Sequence, residues 1–313
     1  MRVALAAGLL GLGVCTAACG PSAGARGVCQ APVFETQGHR GARAQRPEHT
    51  LEAHAYAVSR GVTTLEIDLA VTQDNILVLA HEPMLLGARC KDANGQPAAD
   101  VAIRSLTLAQ VRAFDCGSTP HPEFPNQVLQ PGAPYATLAE VVTMADARTG
   151  GAIHYNLEPK MDPALDDLTP TPEEFMDLLE RAVAALGIED RTMIQSFDAR
   201  PLRVLEERNS ALRRAVLFVS DQAGIYGTIL RGNPIETATF VGAQVVSPYG
   251  PITNRALIDA AHARGLAVIP WTINDEARME ELVGMGVDGL ISDDVDTLTR
   301  VVARLKPTTG LCW

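Results

Sequence analysis

Val62-Thr63-Thr64-Leu65-Glu66-Ile67-Asp68-Leu69 is a β-branched, apolar stretch that carries two carboxylates two residues apart. Read as a strand, it puts Glu66 and Asp68 on one face and the apolar residues between them on the other. Runs of similar character recur at 33–38, 152–157, 192–195, 214–219, 244–247, 266–271 and 287–291, so eight strands are predicted. The segments between them have helical period, clearest where Phe175, Leu178, Leu179, Ala182, Val183 and Leu186 form one apolar stripe behind Pro172-Glu173-Glu174. Strand and helix in alternation imply a parallel sheet. Eight such units in 313 residues predict an α/β fold, a closed (β/α)8 TIM barrel with its chemistry at the carboxyl edge of the strands. An open doubly wound sheet is the rival architecture, but no G-x-G-x-x-G or P-loop sequence follows any strand.

The alternation breaks once. Residues 82–135 are rich in Pro, Gly and polar side chains and hold Cys90 and Cys116, which predicts a long irregular insertion after the second strand. Loops of this length in a compact domain are often functional, and one that follows a strand's carboxyl edge is expected to roof whatever pocket lies there. His121, within it, is expected to face water. At the N-terminus, Met1-Arg2 precedes an apolar run from Val3 to Val14, too short to span a bilayer and ending in small residues. Residues 1–28 therefore read as an export signal, and 29–313 as a single domain destined for the periplasm or the extracellular space. Two processing outcomes stay open. Thr16-Ala17-Ala18-Cys19 resembles a bacterial lipoprotein site, with 20–27 as a tether from a membrane-anchored, lipidated Cys19, whereas Ala23-Gly24-Ala25 fits ordinary cleavage before Arg26.

Removal of that segment leaves Cys29, Cys90, Cys116 and Cys312, an even number in a chain expected to fold outside the reducing cytoplasm. The expected pairs are Cys29 with Cys312, joining the chain ends, and Cys90 with Cys116, closing the insertion. No C-x-x-C or mixed Cys/His spacing suggests zinc. The formal charge of −11 becomes about −13 without Arg2 and Arg26, and no basic cluster or interleaved aromatic stripe is present, which argues against a nucleic-acid partner. Nothing in the pattern bears on oligomeric state.

The chemistry concentrates in a few positions. Two carboxylates side by side repel unless a cation or a proton joins them, and a hard metal answers that need. His39-Arg40-Gly41 follows the first strand-like run, where a guanidinium fork suits phosphate oxygens and the glycine frees the backbone to turn. His81 ends the apolar run Ile76-Leu77-Val78-Leu79-Ala80, and a second imidazole completes an acid and base pair. Each histidine alone also suits a hydrogen-bonded structural role; the joint spacing is what is specific.

H-R-G, P-E-x-T at Pro47-Glu48-His49-Thr50, E-x-D and a further His, in this order, resemble the glycerophosphodiester phosphodiesterase family. The similarity continues through Leu157-Glu158-Pro159-Lys160, Ser196-Phe197-Asp198, Trp271-Thr272-Ile273-Asn274 and Gly286-Val287-Asp288-Gly289. The resemblance implies metal-dependent hydrolysis of small glycerophosphodiesters to glycerol 3-phosphate and an alcohol, an activity of glycerol and lipid metabolism. It implies that Glu66, Asp68 and Glu158 hold one divalent cation, Ca2+ or Mg2+ by their oxygen donors. His39 and His81 become the catalytic pair, in an order left open, with Arg40 and Lys160 on the phosphate and Trp271 as an apolar wall. Thr50 reads as the N-cap of the first helix, and His54, His154 and His262 as structural.

The chain departs from the family pattern at His49, where Asn is usual, and at Glu82, where Asp is usual. Two rivals share these residues. A phospholipase D-like or sphingomyelinase-like barrel acting on intact lipid would need an exposed apolar rim, which 4% aromatic residues do not favour. A catalytically lapsed barrel that binds phosphodiesters without cutting them would have no use for an acid and base pair.

Overall fold

The computed structural model describes residues 32–219 and 233–313. In chain order its first strands are β1 (Glu35–Gly38), β2 (Thr64–Val71), β3 (Leu77–Leu79), β4 (Met84–Leu85) and β5 (Val101–Ala102). There follow β6 (His154–Pro159), β7 (Thr192–Ser196), β8 (Arg213–Phe218), β9 (Val245–Pro248), β10 (Ala267–Val268) and β11 (Gly289–Ser292). Eight of these run parallel in the order β10-β9-β8-β7-β6-β2-β1-β11, and helices cover them, giving the expected (β/α)8 barrel. The seam between β10 and β11 carries no ladder because Pro270 lacks a donor, yet Asp288 N to Val268 O (2.8 Å), Ile291 N to Pro270 O (3.0 Å) and Ile273 N to Ile291 O (2.9 Å) bridge it.

Alternation along each strand decides what the barrel holds. Leu65, Ile67 and Leu69 of β2, Tyr155 and Leu157 of β6 and Ile194 of β7 pack outward with the helices, among them Phe175, Met176, Leu179 and Val183 of the helix Pro172–Leu186. Met193, Ala215, Val245, Ile269, Ile291 and Leu311 form a separate apolar cluster, so residues of opposite parity on β7, β9 and β11 fill the lumen. Burying such a side chain contributes roughly 1.5–3 kcal/mol, which fixes the register of strands covered on both faces. Glu66 and Asp68 have the inward parity.

β2 runs past Glu66 and Asp68 to Val71, beyond the stretch read from the sequence, and pairs there with the antiparallel β3, Leu69 opposite Leu79 and Val71 opposite Leu77. His81 therefore reaches the rim on a returning ribbon, with Ala80 N bonded to Asp68 O (3.1 Å), and not at the end of a parallel strand. The turn at its tip is held by Thr72, whose hydroxyl accepts from Ile76 N (2.9 Å), and by the Arg104 guanidinium, which donates to Asn75 Oδ1 (2.8 Å).

The insertion is also more ordered than its composition suggests. A β4–β5 hairpin, the short helix Leu108–Val111 and the Cys90–Cys116 disulfide enclose a small core of Leu85, Ile103, Val111 and Tyr135 against Val78 of β3. A few well-spaced apolar residues and one cross-link replace the periodicity that would have revealed it. His121 is half-buried against Phe124, with ring centroids 5.4 Å apart, and not simply in water. The other expected disulfide involves Cys29, and the export segment comprises 1–28; both lie outside the described residues. Among those described, no helix is long and apolar enough to cross a membrane.

Thr50 caps the helix Leu51–Ser59 as expected, its hydroxyl accepting from Ala53 N (3.2 Å). His54 in that helix is fully buried, and neither ring nitrogen has a hydrogen-bond partner among the described residues. Burial, helped by His49, depresses its pKa to about 3. An unfolded His takes up a proton below about pH 6.5, which the native ring refuses, so stability falls with acidification from about pH 6.5 until the native ring titrates near about pH 3. His54→Leu is expected to flatten the pH dependence of urea unfolding in that window by about 1.4 kcal/mol per pH unit; equal slopes for variant and wild type would refute this.

Candidate functional site

The first wall of the site is set by backbone geometry. After β1 the chain turns sharply, with Arg40 at φ 50° and Gly41 at φ 87°; a Cβ on Gly41 would lie 2.6 Å from Ala53 C. Only glycine accepts both conditions. The turn aims Arg40 N at Glu66 Oε2 (2.9 Å) and sends the Arg40 guanidinium into ion pairs with Asp68 (3.0 Å) and Glu48 (3.1 Å).

β2 and β6 supply the acids. Asp68 lies opposite Glu158 in the parallel register, and Glu66 shares its face two residues earlier. All three are buried, and each offers an oxygen within 4.8 Å of the others. Lys160, two residues past Glu158, bonds it at 2.7 Å and lies 3.6 Å from Asp68. With a side chain only 12% exposed, it is no surface charge.

Burial and the charges of Asp68 and Glu158 push the Glu66 carboxyl well above its ordinary range. Burial also raises Glu158 to about 7 although Lys160 opposes it. Asp68 goes the other way: burial resists its ionisation, but Lys160 and Arg40 outweigh that and hold it well below the usual range. The three acids crowd one another, and Glu66 is the one whose ionisation is most strongly opposed. Such a cluster is short of positive charge, and its all-oxygen donor set fits one hard divalent cation of the Ca2+ or Mg2+ kind.

The histidines flank this cluster. His39 Nδ1 lies 2.6 Å from Asp293 Oδ1, and burial lowers its pKa against the pull of Asp293. His81 Nδ1 lies 3.0 Å from Glu82 Oε1; burial, then Lys160 and Arg40, bring its ring down to about 4. Both rings are therefore neutral near pH 7, each with one nitrogen on a carboxylate. Trp271, three residues beyond the short β10, donates Nε1 to Ser247 O (2.9 Å) and meets the Phe197 ring edge-on at 5.3 Å. His39, Arg40, Glu66, Asp68, His81, Glu158, Lys160 and Trp271 all line one cavity of about 190 Å3.

Some residues of this cavity were not singled out from the sequence. Gln195, at the end of β7, donates to Glu66 Oε1 (2.8 Å) and accepts from Asn156 (2.7 Å), which also donates to Gln37 (2.8 Å); the amide chain orients the acid from below. Arg43 pairs with Asp293 (2.9 Å), and its guanidinium lies 5.3 Å from the Phe124 ring of the insertion. Gln195 and Asp293 follow the strand-end rule that located the others, which was the signal available for them. His49 sits 3.4 Å from Asp68 and edge-on to Tyr135, a place that the Asn usual there would fill with less bulk. The remaining histidines have structural surroundings: His154 stacks on Trp313 at 4.2 Å, and His262 bonds Asp288 at 2.8 Å.

The chain is similar to known proteins over most of its length. The model of the glycerophosphoryl diester phosphodiesterase family matches residues 39–297. A glycerophosphodiester phosphodiesterase of Caldanaerobacter subterraneus subsp. tengcongensis is 26% identical over 266 residues, covering 85% of this chain and 96% of that protein. One from Bacillus subtilis is 26% identical, with 85% of each chain covered. Among solved structures, a putative glycerophosphoryl diester phosphodiesterase from Silicibacter pomeroyi superposes with a TM-score of 0.80 at 27% identity, covering 89% of this chain and 95% of that one. A phosphodiesterase from Oleispira antarctica, solved with the product sn-glycerol-3-phosphate, has a TM-score of 0.68 at 21% identity, covering 86% and 96%.

Proposed function

The chain belongs to the glycerophosphoryl diester phosphodiesterase family, and from that premise we propose that its cavity hydrolyses glycerophosphodiesters to glycerol 3-phosphate and an alcohol. The observation that carries the reading is the convergence of two imidazoles, three cationic side chains and three buried acids on one cavity. Mere binding of a phosphodiester would not call for the imidazoles. The product found with the Oleispira enzyme is the one this route would yield.

Glu66, Asp68 and Glu158 would hold one divalent cation, Ca2+ or Mg2+, which when bound supplies Lewis-acid withdrawal of charge from a phosphoryl oxygen. Lys160 and Arg40 would neutralise the charge that grows on the phosphoryl oxygens, from positions already fixed by their carboxylate partners. His39 and His81 would divide the proton transfers. One ring takes the proton of the glycerol hydroxyl next to the phosphate as it attacks, and the other gives a proton to the departing alcohol. A cyclic phosphate results, which water opens with the two roles exchanged. The Trp271 and Phe197 rings would shield the carbon side of the substrate from water.

This route requires a hydroxyl adjacent to the phosphate. Glycerophosphocholine should release glycerol 3-phosphate, whereas a dialkyl phosphate without that hydroxyl should remain intact under the same conditions. No glycerol 3-phosphate from any glycerophosphodiester, with Ca2+ or Mg2+ supplied, would overturn the reading. The Cys90–Cys116 disulfide supports folding in an oxidising compartment, in keeping with an exported enzyme processed at Cys19 or before Arg26.

A further inference from the structure

We infer that Asp293, clamped by Arg43 and Asn274, is a positioning residue that locks the His39 imidazole with Nδ1 protonated and leaves Nε2 to serve the cavity. The inference rests on the function proposed above, because it assigns that proton-transfer duty to one nitrogen of one ring.

Asp293 lies one residue past β11, with its side chain 1% exposed. Its Oδ1 receives His39 Nδ1 (2.6 Å) and Arg43 Nε (2.9 Å), and its Oδ2 receives Arg43 Nη2 (3.2 Å) and Asn274 Nδ2 (2.8 Å). An ionised carboxylate can only accept, so the proton of the short His39 contact belongs to Nδ1. Four donors from three residues leave the carboxylate no room to swing. The backbone repeats the attachment: His39 N donates to Ser292 O (2.9 Å), and Asp293 N donates to Asn274 Oδ1 (3.0 Å). Ring and carboxylate are therefore carried on adjacent strands in fixed register, Gly38 opposite Ser292.

Among the described residues, His81 has no such clamp. Its carboxylate partner is the next residue, Glu82, whose side chain is 37% exposed, at 3.0 Å. A buried carboxylate on one imidazole nitrogen holds the tautomer and favours the imidazolium that forms when the other nitrogen gains a proton, as in hydrolases built on a nucleophile, a histidine and an aspartate. Asp293 supplies that arrangement to His39 without touching substrate.

Asp293→Asn keeps the shape but offers an amide that can donate to Nδ1, turning the ring to the wrong tautomer. On glycerophosphocholine, kcat is expected to fall by about a hundredfold to ten-thousandfold with KM little changed. In 15N-labelled protein, the His39 Nδ1 signal should move from the protonated to the bare range, a change that a merely structural role would not produce. Asn274→Leu, which loosens the clamp without removing it, should give a smaller loss of kcat and serves as the test if Asp293→Asn does not fold. Normal kcat in the variants, or an unchanged tautomer in Asp293→Asn, would overturn the inference. Wild-type protein inert toward every glycerophosphodiester would instead overturn the function, while the 15N spectra would still decide whether Asp293 holds the ring.

Discussion

Glu66→Gln is expected to abolish turnover, by about a thousandfold or more, while leaving the cation-free protein almost as stable as the wild type. The unusual combination follows from the state of the cluster. Without an ion, Glu66 is the acid whose charge is most strongly opposed, by burial and then by Asp68 and Glu158. A neutral amide of the same shape therefore changes little in that state. With the ion, the missing negative charge is decisive. Thermal unfolding should separate the two: Ca2+ or Mg2+ at about 100 times its Kd should stabilise the wild type by about 2.7 kcal/mol and the variant by far less. Chelation should bring wild-type activity to the level of the variant, and returning the cation should restore only the wild type. Full activity in Glu66→Gln, or in chelated wild type, would remove the cation from the proposal.

Loss of either imidazole should be nearly as costly, and for different reasons. His39→Ala and His81→Ala are each expected to lower kcat about a hundredfold to ten-thousandfold on glycerophosphocholine. A glycerophosphodiester with a nitrophenol leaving group, which departs without a proton, should rescue the variant that lacks the acid and not the one that lacks the base. The pattern of rescue assigns the two roles. If both variants hydrolyse glycerophosphocholine normally, neither ring moves a proton in the reaction and the acid and base scheme fails.

The barrel could be read in the chain because strands buried on both faces leave continuous apolar runs, and the stripe from Phe175 to Leu186 marked a helix that does pack as expected, Phe175, Leu179 and Val183 being fully buried. The acids were legible for a local reason: Glu66 and Asp68 share a face by strand parity, and Glu158 follows a run of its own. What stayed hidden depends on contacts between distant residues. His39 and Asp293 are 254 residues apart, and Gln195 reaches Glu66 across 129. No short window of sequence contains either partner pair. The doubling back of β3 was missed because Leu77-Val78-Leu79 has the composition of a parallel strand, and its direction is set by the turn at Thr72 and by Arg104 from the insertion.

That reversal has a consequence for how the catalytic pair tolerates change. His39 is anchored in the barrel wall, whereas His81 is aimed by the pairing of Leu69–Val71 with Leu77–Leu79. Side chains on a ribbon alternate between its faces, so a one-residue insertion or deletion that slips this pairing would rotate the imidazole away from the phosphorus even if the cylinder stayed whole. The length of the tip between Thr72 and Ile76 thus sets where His81 points, although no residue of that tip lines the cavity.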